Sequence, residues 1–144
     1  MRSTLVTGFL FLQFFCACSG SEGDAGTEFT TAESDVDAAR SFIRSALDGK
    51  YDRARQFIVQ DSVNTQYLDL FERNYKLRMD PEDKRGYRES SINIHDIRQV
   101  NDSTTVVNYS NSFKKQNDSL KVVRVANQWL VDLKYSFSPT DTAQ

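Results

Sequence analysis

Trp129-Leu130-Val131-Asp132-Leu133-Lys134-Tyr135-Ser136-Phe137 sets Trp129, Val131, Leu133, Tyr135 and Phe137 on one parity and Asp132, Lys134 and Ser136 on the other. Side chains alternate faces along a strand, so the spacing predicts a strand with one buried and one wet face. Leu130 alone breaks the alternation. A face with so many large apolar groups needs a cover, and amphipathic helices upstream can supply it.

Working back from that stretch, Ala126-Asn127 predicts a tight turn, asparagine tolerating positive φ. Leu120, Val122, Val123 and Val125 predict a strand with apolar groups on both sides, as a central strand has. Beyond the polar, turn-like run 114–118, Thr105, Val107, Tyr109 and Phe113 mark the inward side of another strand, and Asn101-Asp102 marks the turn before it. Ile92 and Ile94 share a parity while Ile97 is out of phase, which predicts a bulge near His95 and Asp96.

Before residue 80 the period is helical. Ser34-Asp35-Val36-Asp37 has the form of a capping box, and Val36, Ala39, Phe42, Ile43, Ala46 and Leu47 recur at three- and four-residue spacing up to Gly49. A short second helix is expected over 51–58, with Ala54, Phe57 and Ile58 as its apolar side. A third, capped by Asp61 or Ser62, carries the stripe Val63, Tyr67, Leu70, Phe71 and Leu77. Asp80-Pro81 stops it, and the charged run 81–86 reads as an exposed loop. Three N-terminal helices packed on a four-stranded antiparallel sheet give a segregated α+β domain over 34–138, with a tail at 139–144.

The chain has 144 residues, 39% hydrophobic and 26% charged, consistent with one ordinary globular domain. Cys16 and Cys18 both lie near the start, so the rest offers no disulfide and no thiolate metal site. Glu22, Asp24, Glu28, Glu33 and Asp35 make the segment 19–35 acidic, and the remainder is near neutral without a basic stripe, which argues against nucleic acid as the main partner. One histidine and no further cysteine leave no transition-metal cluster, and Gly49 and Gly86 alone form no phosphate-cradling loop. No cofactor is expected.

Residues 1–17 read as a signal peptide: Arg2 is the positive flank of an apolar run over 5–15. On pattern alone an ordinary secretory signal is the alternative. Phe15-Cys16-Ala17-Cys18-Ser19-Gly20 resembles a bacterial lipobox, with Phe15 and Cys16 in place of the usual Leu and small residue. That resemblance implies cleavage before Cys18 and lipidation of its thiol, palmitate included. It makes 18–33 a flexible acidic tether to a membrane. Ser19 after the cysteine, by resemblance to Gram-negative lipoproteins, implies an outer-membrane lipoprotein facing the periplasm or the cell surface.

The order of elements resembles the nuclear transport factor two-like (cystatin-like) superfamily. Leu47-Asp48-Gly49-Lys50-Tyr51-Asp52, the Ala54 after it and the terminal strand from Trp129 carry the resemblance, with Asn127-Gln128 where Gly-Lys is usual. With the lipobox, the chain resembles a family of small bacterial lipoproteins of unknown function. The resemblance implies a cone-shaped domain with a pocket between sheet and helices. By parity Tyr109, Trp129 and Tyr135 point inward, and Tyr67 and Tyr75 of the third helix complete the ligand-pocket candidates. Isomerases and dehydratases of the superfamily pair an acid or histidine with tyrosine hydroxyls in this pocket. Here Asp132 has outward parity, leaving His95 and Asp96 at the expected bulge, beside Tyr109, as the weak catalytic alternative. The plainer reading makes His95 a half-exposed strand residue and the tyrosines core filler.

The function expected is therefore that of a membrane-tethered binding or assembly module. Its partner is a small molecule or an envelope protein. A small-molecule isomerase or lyase using the same pocket is the alternative, and a homodimer burying the open sheet face is a third reading. Asp61-Ser62-Val63, Asp102-Ser103-Thr104, Asp118-Ser119-Leu120 and Asp141-Thr142-Ala143 also resemble the O-glycan acceptor triplet of exported Bacteroidetes proteins, making Ser62, Ser103, Ser119 and Thr142 candidate acceptors at expected turns, helix starts or the tail. Asp-Ser and Asp-Thr favour caps and turns without any modification.

Overall fold

The computed structural model describes residues 31–137. The signal read over 1–17, Cys18, most of the tether, Thr142 and the tail 139–144 lie outside them. Helix α1, Asp35–Leu47, begins where the Ser34 hydroxyl accepts the Asp37 amide at 3.1 Å, and Asp35 and Asp37 stand at the positive end of the helix dipole. It buries Ala38, Ala39, Phe42 and Ile43. Its end is a Schellman motif: Gly49 N–H donates to Ala46 O at 3.0 Å and Lys50 N–H to Ser45 O at 2.8 Å. Gly49 turns the chain at φ +74°, where a side chain would be strained.

Helix α2, Tyr51–Ala54, continues as a 3-10 turn, Arg55–Phe57. The helix expected over 51–58 stops short because Ile58 is extended, bridging Val131 in parallel, while Val59 N–H donates to Val131 O at 2.9 Å. Helix α3, Ser62–Leu77, is capped by Asp61, which accepts the Asn64 amide at 2.8 Å. Its buried row is Asn64 and Leu68, continued by the half-buried Phe71 and Tyr75. The expected stripe is therefore rotated, and Val63, Leu70 and Leu77 are exposed.

The run expected as a loop is helix α4, Pro81–Glu89, so four helices rather than three precede the sheet. Asp80 caps it, accepting the Asp83 amide at 2.8 Å, and Pro81 occupies the first turn, where its missing N–H costs nothing. The proline that ends α3 thus begins α4. Arg44 of α1 holds the far end, its guanidinium donating to Ser90 O at 2.7 Å, Arg88 O at 3.1 Å and Tyr87 O at 3.2 Å.

Strands β1 (Ile92–Asn101), β2 (Thr104–Asn111), β3 (Asn117–Val125) and β4 (Gln128–Asp132) form one antiparallel sheet in the order β1-β2-β3-β4. The register slips between Ile94 and Asp96, at the expected bulge. Positive φ at Ala126 (46°) and Asn127 (66°) makes the β3–β4 turn. Val107 pairs with Leu120 and Val122 with Val131, and these four join Phe42, Ile43, Phe57, Ile58 and Leu68 in the core.

The last strand is shorter than its alternation predicts. Leu133 N–H leaves the sheet to donate to Asn64 Oδ1, and Lys134–Phe137 winds into a helical turn, α5. Tyr135 is thus a helical residue and not an inward strand position, and Phe137 leaves the strand with it. Among the described residues no helix is long and apolar enough to cross a membrane.

Candidate functional site

A pocket of about 360 Å³ opens between the C-terminal half of α1, α3, α4 and the β2–β3 end of the sheet. Helical spacing brings Phe42, Ile43, Ala46 and Leu47 of α1 to its floor, with Phe71 of α3 opposite. Tyr51, Tyr75, Tyr87 and Tyr109 form its walls, each from a different element. Asn74, Asn111, Lys114, Gln116 and Asp118 supply polar groups. An apolar body with a few convergent polar groups is the usual make-up of a small-molecule site.

The rings are held by one another and by charge. Tyr51 and Tyr75 meet edge to face with centroids 5.7 Å apart, and Tyr87 meets Phe113 in the same way at 5.3 Å. Tyr75 stands directly over Gly49, where a Cβ would come within 2.5 Å of its ring. Lys84 Nζ lies 5.4 Å from the Tyr75 centroid, and Lys114 Nζ 5.8 Å from that of Tyr87. Burial, with Tyr75 close by, holds the Tyr51 hydroxyl well above the usual phenol range. Burial and then the Asp118 charge do the same for Tyr109, whose hydroxyl donates to Asp118 Oδ2 at 3.3 Å. Both phenols therefore stay protonated, as donors rather than bases.

Of the tyrosines read from the sequence, Tyr75 and Tyr109 line the pocket. Tyr67 packs against the core away from it, and Trp129 is half-buried with the Arg124 guanidinium 5.6 Å from its ring. Tyr135, displaced into α5, is not in the lining either. Tyr51 and Tyr87 were not legible as pocket residues. Tyr51 follows the helix stop at Gly49-Lys50, a position that parity arguments do not reach, and Tyr87 sits in the helix read as a loop.

His95 and Asp96 are exposed on β1 and outside the pocket. His95 Nε2 lies 2.8 Å from Ser110 Oγ, and Asp96 accepts from Asn108 Nδ2 at 3.4 Å. Neither reaches Tyr109. The titratable partner of that tyrosine is Asp118, exposed at the rim. Ser62 opens α3 and Ser103 occupies the β1–β2 turn, both exposed. Ser119 lies within β3 rather than at a turn, its hydroxyl donating to Asn108 Oδ1 at 2.6 Å. Among the described residues no three His, Cys, Asp or Glu side chains cluster as metal ligands would.

Comparison with protein-family models, curated proteins and solved structures returns no match.

Proposed function

We propose that the chain is a lipid-tethered extracytoplasmic binding module, built on a nuclear transport factor two-like plan, that holds a small molecule in the tyrosine-lined pocket. The observation that carries this reading is the make-up of the pocket: an apolar floor, four tyrosine walls and an amide-rich rim. Such a lining buries a flat or branched apolar body and orients it through a few hydrogen bonds. The lipobox-like Ala17-Cys18-Ser19 and the acidic stretch after it support the tether and an outer-membrane address.

The test is native mass spectrometry of the protein taken from its source cells, beside an Ala46→Phe variant that fills the floor. A bound small molecule present on the wild type and missing from a folded variant is the expected result. An empty wild-type pocket, with no stabilisation by fractionated cell extract, would overturn the reading.

The isomerase or lyase alternative draws on one contact, Tyr109 Oη to Asp118 Oδ2 at 3.3 Å. A carboxylate within hydrogen-bond reach of a tyrosine is the minimum that proton transfer needs. Turnover separates the readings: an enzyme converts the pocket's ligand and loses that conversion in Asp118→Asn, whereas a binding module returns the ligand unchanged from wild type and variant alike.

A further inference from the structure

A second groove, of about 250 Å³, runs along the solvent side of α1 to the start of α2. Its lining sets Arg40, Arg44, Lys50 and Arg53 against the single carboxylate of Asp48, in a chain whose net charge is −2. The concentration is invisible in the linear sequence. Helical spacing stacks Arg40 over Arg44, and the Schellman turn then folds Lys50 and Arg53 back beside them. Asp48 does not neutralise the cluster, because Arg44 already engages it, Nε to Oδ1 at 2.9 Å. Arg44 is otherwise occupied with the carbonyls that end α4. It is a fixed positive floor rather than a mobile ligand. Among the described residues Arg40 and Arg53 form no ion pair, and Lys50 Nζ has only Asp48 at 3.6 Å. Asp37 and Asp52, the nearest acids in sequence, pair with neither arginine.

We infer that this groove binds a phosphate group, gripped by Arg40, Lys50 and Arg53 over the Arg44 guanidinium. Four cations sharing one carboxylate repel one another, and an anion relieves that repulsion. Guanidinium forks match the oxygens of phosphate and carboxylate alike. The excess of cations favours the more highly charged of the two, and a phosphomonoester carries about −1.5 to −2 charges at neutral pH. The groove is distinct from the tyrosine-lined pocket, with which it shares no lining residue. The phosphate can come from a soluble phosphomonoester or from a lipid headgroup.

The two sources separate in one set of NMR titrations on the full chain reconstituted in phosphatidylcholine nanodiscs. In the first arm inorganic phosphate is added at constant ionic strength, with sodium chloride as control. In the second, nanodiscs containing phosphatidic acid replace the neutral ones. Saturable shifts of the 40–53 amides with inorganic phosphate, absent with chloride, assign a soluble phosphate ligand. Shifts seen only with phosphatidic acid assign a headgroup. Either must weaken at least about tenfold in Arg40→Gln/Arg53→Gln, since charged hydrogen bonds are lost while both side chains lie outside the core. No saturable shift in either arm, shifts matched by chloride, or shifts undiminished in the folded double variant would overturn the inference.

Discussion

Asn64 Oδ1 accepts the backbone amide of Leu133 at 2.6 Å, and both residues are buried. The Asn64 side-chain amide in turn donates to Asp61 Oδ2 at 3.0 Å, with Asp132 Oδ1 at 3.4 Å. A side chain of α3 thus takes the N–H that a continuing β4 would have used, which is where the last strand ends and α5 begins. Replacing Asn64 with Leu leaves that amide unpaired in the interior. The expected cost is about 2–3 kcal/mol, read as a lower urea midpoint at unchanged slope. A midpoint equal to wild type would mean that Leu133 finds another acceptor.

Asp61 ties the same corner electrostatically. Its carboxylate accepts the Asn64 amide and meets Lys134 Nζ at 2.7 Å, which together pull its pKa from 3.8 down to about 2. A folded-state value below the unfolded one means that the stabilisation is complete above about pH 4 and is lost as pH falls through about 2. Asp61→Asn should flatten stability against pH across that window and leave the profile from pH 5 to 7 parallel to wild type. Urea midpoints measured from pH 2 to 7 check it.

Core substitutions should rank by burial rather than by size. Phe57 is only 1% exposed, and Phe57→Ala should cost about 3–5 kcal/mol. Trp129 is larger but half-buried, with Arg124 lying across it, so Trp129→Ala should cost about 1–3 kcal/mol. Thermal melts of the two variants side by side would reverse the assignment if Trp129→Ala proved the more damaging.

Gly86 lies inside α4, where alanine is ordinarily favoured by about 1 kcal/mol. Here an added Cβ would run into the Phe113 ring, which sits on the glycine and meets Tyr87 edge to face. Gly86→Ala should therefore destabilise, and the same change in a Phe113→Ala background should stabilise by about 0.5–1 kcal/mol. A double-mutant cycle measures the difference, and additive effects would show that Phe113 swings aside freely.

Much of this architecture could be read from local pattern. The α1 cap, its Gly49 stop, the bulge beside His95 and the Ala126-Asn127 turn each rest on a few adjacent residues whose chemistry has one economical solution. The misreadings share a different origin. The end of β4 is decided by Asn64, far away in the chain, and alternation cannot register a hydrogen bond to another element. The α3 stripe was misplaced because the buried row includes that same polar asparagine, which a count of apolar residues passes over. The 81–89 helix was hidden by its charge. It has no fully buried residue, and its hold on the fold comes from Arg44 and from Phe113 on Gly86. Of the pocket's tyrosines, Tyr109 was read from strand phase, and Tyr75 only as one of two tyrosines that the third helix offers, outside its expected apolar stripe. Tyr51 and Tyr87 depend on how the helices are docked.

The bridge from Ile58 to Val131 makes the sheet's two margins unequal. On the β4 side, Ile58 and Val59 occupy backbone groups that would otherwise face outward. Among the described residues the β1 side has no strand beyond it, yet its pairing register slips twice, between Ile94 and Asp96 and again between Gln99 and Asn101. Irregularities of this kind, with charges at Asp96 and Arg98, break the even ladder of amides that a foreign strand would need. One margin is covered at Val131 by its own chain and the other is irregular, so each offers a foreign strand a poorer template than a straight open edge would.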